Sequence, residues 1–311
     1  MAEKKSYNEY LAMLADEEQS LSKRIIKQFS NLESEQQAQF EQAWGTFSVE
    51  RRREIAEALV EYAEEQVEED FNPLFLYMLR DPDAKVRVIA LEGLWEYEEH
   101  NMLRMLIPLM ESDPSEEVRE KATISMSRFA LLAELGKLPS RWNKNVHDSL
   151  MTQFQKKTNS LEVRRRALEA LGYFSQDEQV RQFIAEAYQS DDELFKSSAL
   201  AAMGRTVDKR WLPEIGQELS NESPALRYEA VRAAGEQSST ELLTPLLRLT
   251  RDHDPEVRLA AIWALGQVGG QEATRTLKVL AESESTTIRE AAKEALAEIV
   301  FSQNPLNVID Y

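Results

Sequence analysis

One pattern recurs along this chain at a nearly fixed interval, and it restricts the fold more than any other feature. A turn-forming residue is followed six positions later by a basic residue, at Arg87, Arg119, Arg164, Lys196, Arg227, Arg258 and Arg289. The intervals are 32, 45, 32, 31, 31 and 31 residues. A period near 31 is long enough for two helices and two turns, the unit of an α-solenoid. Just before each basic residue stands an apolar one: Val86, Val118, Val163, Phe195, Leu226, Val257 and Ile288. Four positions after that apolar residue the chain always has alanine: Ala90, Ala122, Ala167, Ala199, Ala230, Ala261 and Ala292. Four further on come Leu94, Met126, Leu171, Met203, Ala234, Leu265 and Leu296. Residues spaced by four share one helical face, so each set is the buried face of one helix. The alanine marks a place where two helices approach too closely for a larger side chain.

Six residues before each basic residue lies Asp81, Asp113, Thr158, Ser190, Asn221, Asp252 or Ser283. Each can cap a helix or hold a turn. Asp81-Pro82 and Asp113-Pro114 suggest proline at the first helical position. Ser223-Pro224 and Asp254-Pro255 suggest the same two residues later, so the cap position is expected to vary. A basic residue in a first turn opposes the helix dipole and needs an acceptor, for which the turn residue of a neighbouring repeat is the natural source. The pairs Asp81/Arg87, Asp113/Arg119 and Asp252/Arg258, enclosing Val86, Val118 and Val257, resemble the HEAT repeat, including the bacterial phycobilisome-lyase-like subgroup. The resemblance covers about Phe71 to Ile299. It implies an all-α, HEAT-type α-solenoid with a ladder of such pairs and with the second helix of each repeat on the concave side. Thr158, Ser190, Asn221 and Ser283 depart from Asp, so the ladder is expected to be interrupted there.

The first helices fall between these segments, at Phe71–Leu79, Met102–Met110, Val146–Gln155, Val180–Tyr188, Trp211–Leu219, Leu242–Thr250 and Ala273–Ala281. The 45-residue interval carries an insertion around 131–145, with a helix ending near Gly136 and Pro139 and Trp142 in a loop. The expected organisation is an atypical helical cap over 1–70, seven repeats over 71–301 and a tail over 302–311. The cap reads as three or four helices, the last from about Val49 to Glu69. It holds 8 basic and 17 acidic residues, a net charge of −9 out of −18 for the chain.

That charge repels phosphate backbones and anionic membrane surfaces, so neither nucleic acid nor membrane is an expected partner. A basic protein partner is the sign-matched expectation. The chain has no cysteine, which removes disulfides, thiolate metal sites and thiol nucleophiles together. No apolar run is long enough to span a bilayer, and Met1–Tyr10 lacks the apolar core of a signal peptide, so the cytoplasm is the expected compartment. His100, His147 and His253 lie far apart, and the His-Glu dipeptide through which HEAT-fold hydroxylases bind iron does not occur. No metal, cofactor or catalytic residue is therefore expected.

Two candidate contact surfaces remain. In each second helix the positions two, six and ten after the first apolar residue point away from the buried face. They give a stripe of Glu92, Glu96, Arg128, Glu169, Tyr173, Arg205, Tyr228, Arg232, Glu236, Trp263 and Gln267. Aromatics and Arg of this kind anchor protein interfaces. The second surface is the acidic face Glu57, Glu61, Glu65 and Glu69, with Arg51, Arg52 and Arg53 upstream as counter-charge and Arg53 expected to reach Glu57. The expected function is a non-catalytic protein-binding scaffold or adaptor. A phycobilin-lyase-like or other tetrapyrrole-handling protein is the alternative implied by the resemblance, though no catalytic motif carries over.

Overall fold

A computed structural model describes residues 5–66 and 68–303. Among them there are eighteen α-helices, four single 3₁₀ turns and no strand. The chain divides into two compact units, Met1–Ser149 and Leu150–Tyr311, with the division inside one helix. The first unit holds α1 (Tyr7–Ala15), α2 (Lys23–Ile26), α3 (Ser34–Trp44), α4 (Val49–Glu65), α5 (Asn72–Met78), α6 (Ala84–Gly93), α7 (Leu103–Ser112), α8 (Glu116–Glu134) and the start of α9 (Ser140–Gln155). The second holds the end of α9, then α10 (Leu161–Leu171), α11 (Glu178–Tyr188), α12 (Glu193–Arg205), α13 (Leu212–Glu218), α14 (Pro224–Gln237), α15 (Leu243–Leu249), α16 (Pro255–Val268), α17 (Gly270–Leu280) and α18 (Thr286–Gln303). Each expected first helix is present to within a few residues. The exception is α9, which begins at Ser140, so Trp142 is a buried helical residue and not part of a loop. The last cap helix ends at Glu65, and α18 runs through Gln303, two residues into the expected tail; the rest of that tail lies outside the described residues.

All seven alanines of the repeat are fully buried, as are Val86, Val118, Val163 and Val257 before them. Within the second unit the helices that carry them, α10, α12, α14, α16 and α18, pack on one another in sequence. A second small column completes these contacts. Gly172, Gly204 and Gly266 lie against the backbones of Ala202, Ala233 and Ala295 on the next helix. A Cβ on Gly172 would stand 2.7 Å from the Ala202 carbonyl oxygen, and one on Gly204 would stand 2.8 Å from Ala233 Cα. The layer of second helices is therefore closely spaced, whereas the first helices α11, α13, α15 and α17 touch one another sparingly.

The turns obey one rule that the sequence concealed. The residue six before the Arg holds the turn, accepting from the backbone N–H two residues on: Asp81 from Asp83, Asp113 from Ser115, Asn221 from Ser223 and Asp252 from Asp254. The N-cap is that later residue in every case, so its position does not vary. Pro82 and Pro114 consequently lie before the cap, in the turn, while Pro224 and Pro255 occupy the first helical position.

The hydrogen bonds of the Arg explain its place in a first turn. Arg87 donates to the backbone carbonyls of Asp81 and Pro82, and with its other nitrogens grips both carboxylate oxygens of Asp113 in the next turn at 2.9 and 2.7 Å. Arg227 does the same with the Asn221 and Glu222 carbonyls and with Asp252 at 2.9 and 2.8 Å. Each fork fastens its own turn and clamps the following one. At two of the turns that lack the carboxylate, the chain substitutes. Lys196 pairs at 2.8 Å with Glu218, three residues before Asn221, and Tyr188 and Asn221 also donate to that carboxylate. Burial raises the Glu218 pKa, but these donors prevail and hold it below the usual carboxylate range. Beside Ser190, Arg164 donates to the Phe154 carbonyl and lies over the rings of Phe154 and Phe195 at 5.6 and 5.4 Å. The ladder also begins one step earlier than expected, because Arg52 and the Trp44 indole both reach Asp81.

Candidate protein-interaction face

The stripe positions behave differently in the two units. In the first, Glu92 is exposed and pairs with Lys121 at 2.6 Å, and Glu96 is exposed. Arg128 is half-buried and donates through Nη1 to the Trp95 carbonyl, so it holds a loop instead of standing free on a surface. Burial lowers its pKa to about 10.

In the second unit the stripe closes into one charged and aromatic group. Glu169 on α10 is more covered than expected, its side chain only 12 % exposed, because it accepts from Arg166 and from the Ser198 hydroxyl of α12. Arg205 on α12 lies over the Tyr173 ring at 5.5 Å, with one buried terminal nitrogen lacking a hydrogen-bond partner. Arg232 on α14 lies over the Trp263 ring at 4.8 Å and is 3.9 Å from Glu236. Glu236 has its own buried oxygen without a partner. Tyr228 and Gln267 are half-buried. Trp263, expected to point outward, is also half-buried. Its ring crosses Gly235 of α14 so closely that a Cβ there would stand 2.4 Å from a ring carbon. The absence of a side chain at Gly235 makes room for the indole, and Arg232 covers part of it.

Glu229 is the member the helical-wheel argument missed. It stands one position beyond Tyr228 on the flank of the stripe, where Glu169 and Glu236 repel its charge and Arg232 and Arg205 favour it. Burial is the largest influence and raises its pKa to about 7. Burial likewise raises Glu236, against the attraction of Arg205 and Arg232. The group thus combines two arginines stacked on aromatic rings with two half-buried carboxylates, one of which, Glu236, has a buried oxygen without a hydrogen-bond partner. Such groups gain by acquiring external partners.

The acidic face is less uniform than its spacing suggests. Glu65 pairs with Lys23 and Glu69 pairs with Lys27, both of the α2 region, while Glu57 and Glu61 stay exposed. Arg53 reaches Asp83 at 2.6 Å, not Glu57. Arg51 is buried and donates to the carbonyls of Leu14 and Gln19, fastening the N-terminal segment to α4. Among the described residues no group of three or more acids and histidines is placed to hold a metal ion, and no helix is long and apolar enough to cross a membrane.

Comparison with known proteins agrees with this architecture. A family model for HEAT repeats matches residues 212–297. No curated protein matches by sequence. Among solved structures, the complex of CpcE and CpcF of phycocyanin lyase from Nostoc sp. PCC7120 is similar, with a TM-score of 0.54 and 16 % identity over 76 % of this chain and 93 % of that one. Yeast importin-β (Kap95p) aligns with a TM-score of 0.49 and 15 % identity over 97 % of this chain. The chain spans just under half of importin-β, 48 % of its length. The matched repeats, the Arg–Asp ladder and the stacked helix pairs lead to one conclusion: this chain has the fold of a HEAT-type α-solenoid, with HEAT repeats matched over residues 212–297.

Proposed function

We propose that the protein is a non-catalytic scaffold that binds a protein partner on the layer of second helices. The more closely spaced layer of a curved stack is its inner, concave side, and in the second unit that is the layer packed through Gly and Ala. The observation that carries the reading is the cluster on that layer, Arg205 on Tyr173 and Arg232 on Trp263, with unpartnered buried atoms on Arg205 and Glu236. Arg and aromatic side chains held in fixed orientation lose little freedom on binding and supply most of the energy at protein interfaces. The chain's acidity favours a basic protein partner over nucleic acid or an anionic membrane, and the cytoplasm is the proposed setting. The proposed organisation remains a helical cap over 1–70, repeats over 71–301 and a tail.

The test pairs recovery of partners with stability. Arg205→Ala, Arg232→Ala and Trp263→Ala should lower recovery of a specific protein from the native cell while keeping most of the fold. Trp263→Ala costing as much as a fully buried aromatic, about 3–5 kcal/mol, with recovery unchanged, would refute the assignment. A second reading, tetrapyrrole handling, has the phycocyanin-lyase similarity in its favour. Purification of the native protein as a coloured species would support it.

A further inference from the structure

The first unit contains a cleft of about 750 Å³ that takes in one residue of each expected surface, Glu96 and Glu69, and otherwise lies outside both. It is bounded by the end of α4, the start of α5, the segment after α6, Leu132 near the end of α8, and Lys137 and Leu138 beyond it. Its apolar floor includes the buried Phe71, Phe75, Leu132 and Leu138. Its rim carries seven carboxylates against one lysine and one histidine. Of these, Glu64, Glu68, Glu96 and Glu99 are exposed. Trp95 stands at the edge with 62 % of its surface exposed, an unusual place for an indole.

Its position in the repeat explains why it is outside. Trp95 occupies the place taken by Gly172, Gly204, Gly235 and Gly266 in four other second helices, nine residues after the first apolar residue. There a side chain would strike the next helix. Helix α6 ends at Gly93, two residues earlier, so the chain turns away and presents the indole to the cleft instead. Arg128 donates to the Trp95 carbonyl and fixes that turn from behind.

We propose that this cleft docks a basic linear segment of a partner protein, with an Arg or Lys side chain lying on Trp95 and its charge among the rim carboxylates. An Arg or Lys is an apolar stem carrying a cation, and the cleft offers an apolar floor, an aromatic face and an acidic rim. The seven carboxylates of the rim suit a segment with several basic residues more than a single small cation. This surface is separate from the Arg205–Trp263 cluster, so the two proposals fail independently.

The test uses the full chain and a short fluorescent peptide of alternating arginine and glycine, with affinity measured by anisotropy at low salt. Trp95→Ala should weaken binding by about two- to fivefold. The triple variant Glu64→Gln, Glu68→Gln, Glu99→Gln should weaken it by about tenfold. An equal charge change at exposed carboxylates that do not line the cleft, Glu272→Gln, Glu282→Gln, Glu284→Gln, should leave affinity within about twofold of the parent. Circular dichroism should be unchanged in all three, because the replaced side chains are exposed. Equal weakening by the two triple variants would show binding to the general negative field and overturn the proposal. So would an unaltered affinity in Trp95→Ala, or no peptide binding at all.

Discussion

Gly204→Ala separates close helix packing from helix propensity, because the two act in opposite directions. Gly204 lies inside α12, where alanine is favoured over glycine by about 1 kcal/mol. Its added Cβ, however, would stand 2.8 Å from Ala233 Cα and 2.7 Å from Glu236 Oε2. The carboxylate can rotate aside, but the backbone of α14 cannot move without shifting a whole helix. Overpacking of that kind costs about 1–3 kcal/mol. The net expectation is a loss of up to about 2 kcal/mol, from the difference of those two figures. Gly216→Ala is the control within the same unit. Its Cβ meets only a methyl of Leu242 at 3.2 Å, which a small side-chain rotation relieves, so the propensity gain should survive. Urea unfolding followed by circular dichroism gives the two stabilities, and hydrogen exchange in α12 and α14 localises the loss. If Gly204→Ala stabilises the protein as much as Gly216→Ala does, close backbone contact is not what joins the second helices.

The ladder should be costly to break only where it is complete. Arg87→Met strands the buried Asp113 carboxylate and should cost about 3–5 kcal/mol. Arg258→Met should cost much less, since the equivalent residue of the next turn is Ser283 and Arg258 donates to the Asp252 and His253 carbonyls; urea midpoints compare the two. Ala261 is fully buried, so Ala261→Leu should cost about 1–3 kcal/mol, measured in the same way. Glu229 gives a pH dependence. Its pKa is raised to about 7 in the fold, so between about 4.3 and 7 the folded chain holds a proton that the unfolded chain has released. Its contribution to stability therefore falls as pH rises through that window. Glu229→Gln should gain in melting temperature over the parent on going from acidic to mildly alkaline buffer; parallel pH profiles of the two proteins would contradict this.

The repeat was legible because its columns follow from packing that any sequence must satisfy. An alanine between two close helices has no substitute of similar size except glycine, so seven alanines identify the frame. The parallel glycine column was legible too, at Gly172, Gly204, Gly235 and Gly266, but it lies nine positions into the helix and Trp95 and Ser127 interrupt it. Where side chains are long, sequence alone identified the residue and not its partner. Arg53 has acidic residues on its own helix and at the N-cap of α6, and the structure pairs it with that cap, Asp83. Lys196 lacks an Asp at the expected turn and takes Glu218 instead. The stripe was found by angle alone, and angle cannot say that Trp263 leans across Gly235 or that Glu229 is drawn among four charged neighbours. Arg51 was hardest to place, because it occupies an apolar position of the frame and is stabilised there by backbone carbonyls of the N-terminal segment.

The central claim, that the inner layer of second helices is the binding face, is tested most directly by site-specific photo-crosslinking in the native cell. A photoreactive residue is placed at Gln267 on α16, within the stripe, and in a separate variant at Gln182, exposed on the first helix α11. The account predicts a discrete crosslinked protein from Gln267 that is lost when Arg232→Ala and Trp263→Ala are added, and no such product from Gln182. A discrete product from Gln182 alone, or one from Gln267 that survives both substitutions, would contradict it.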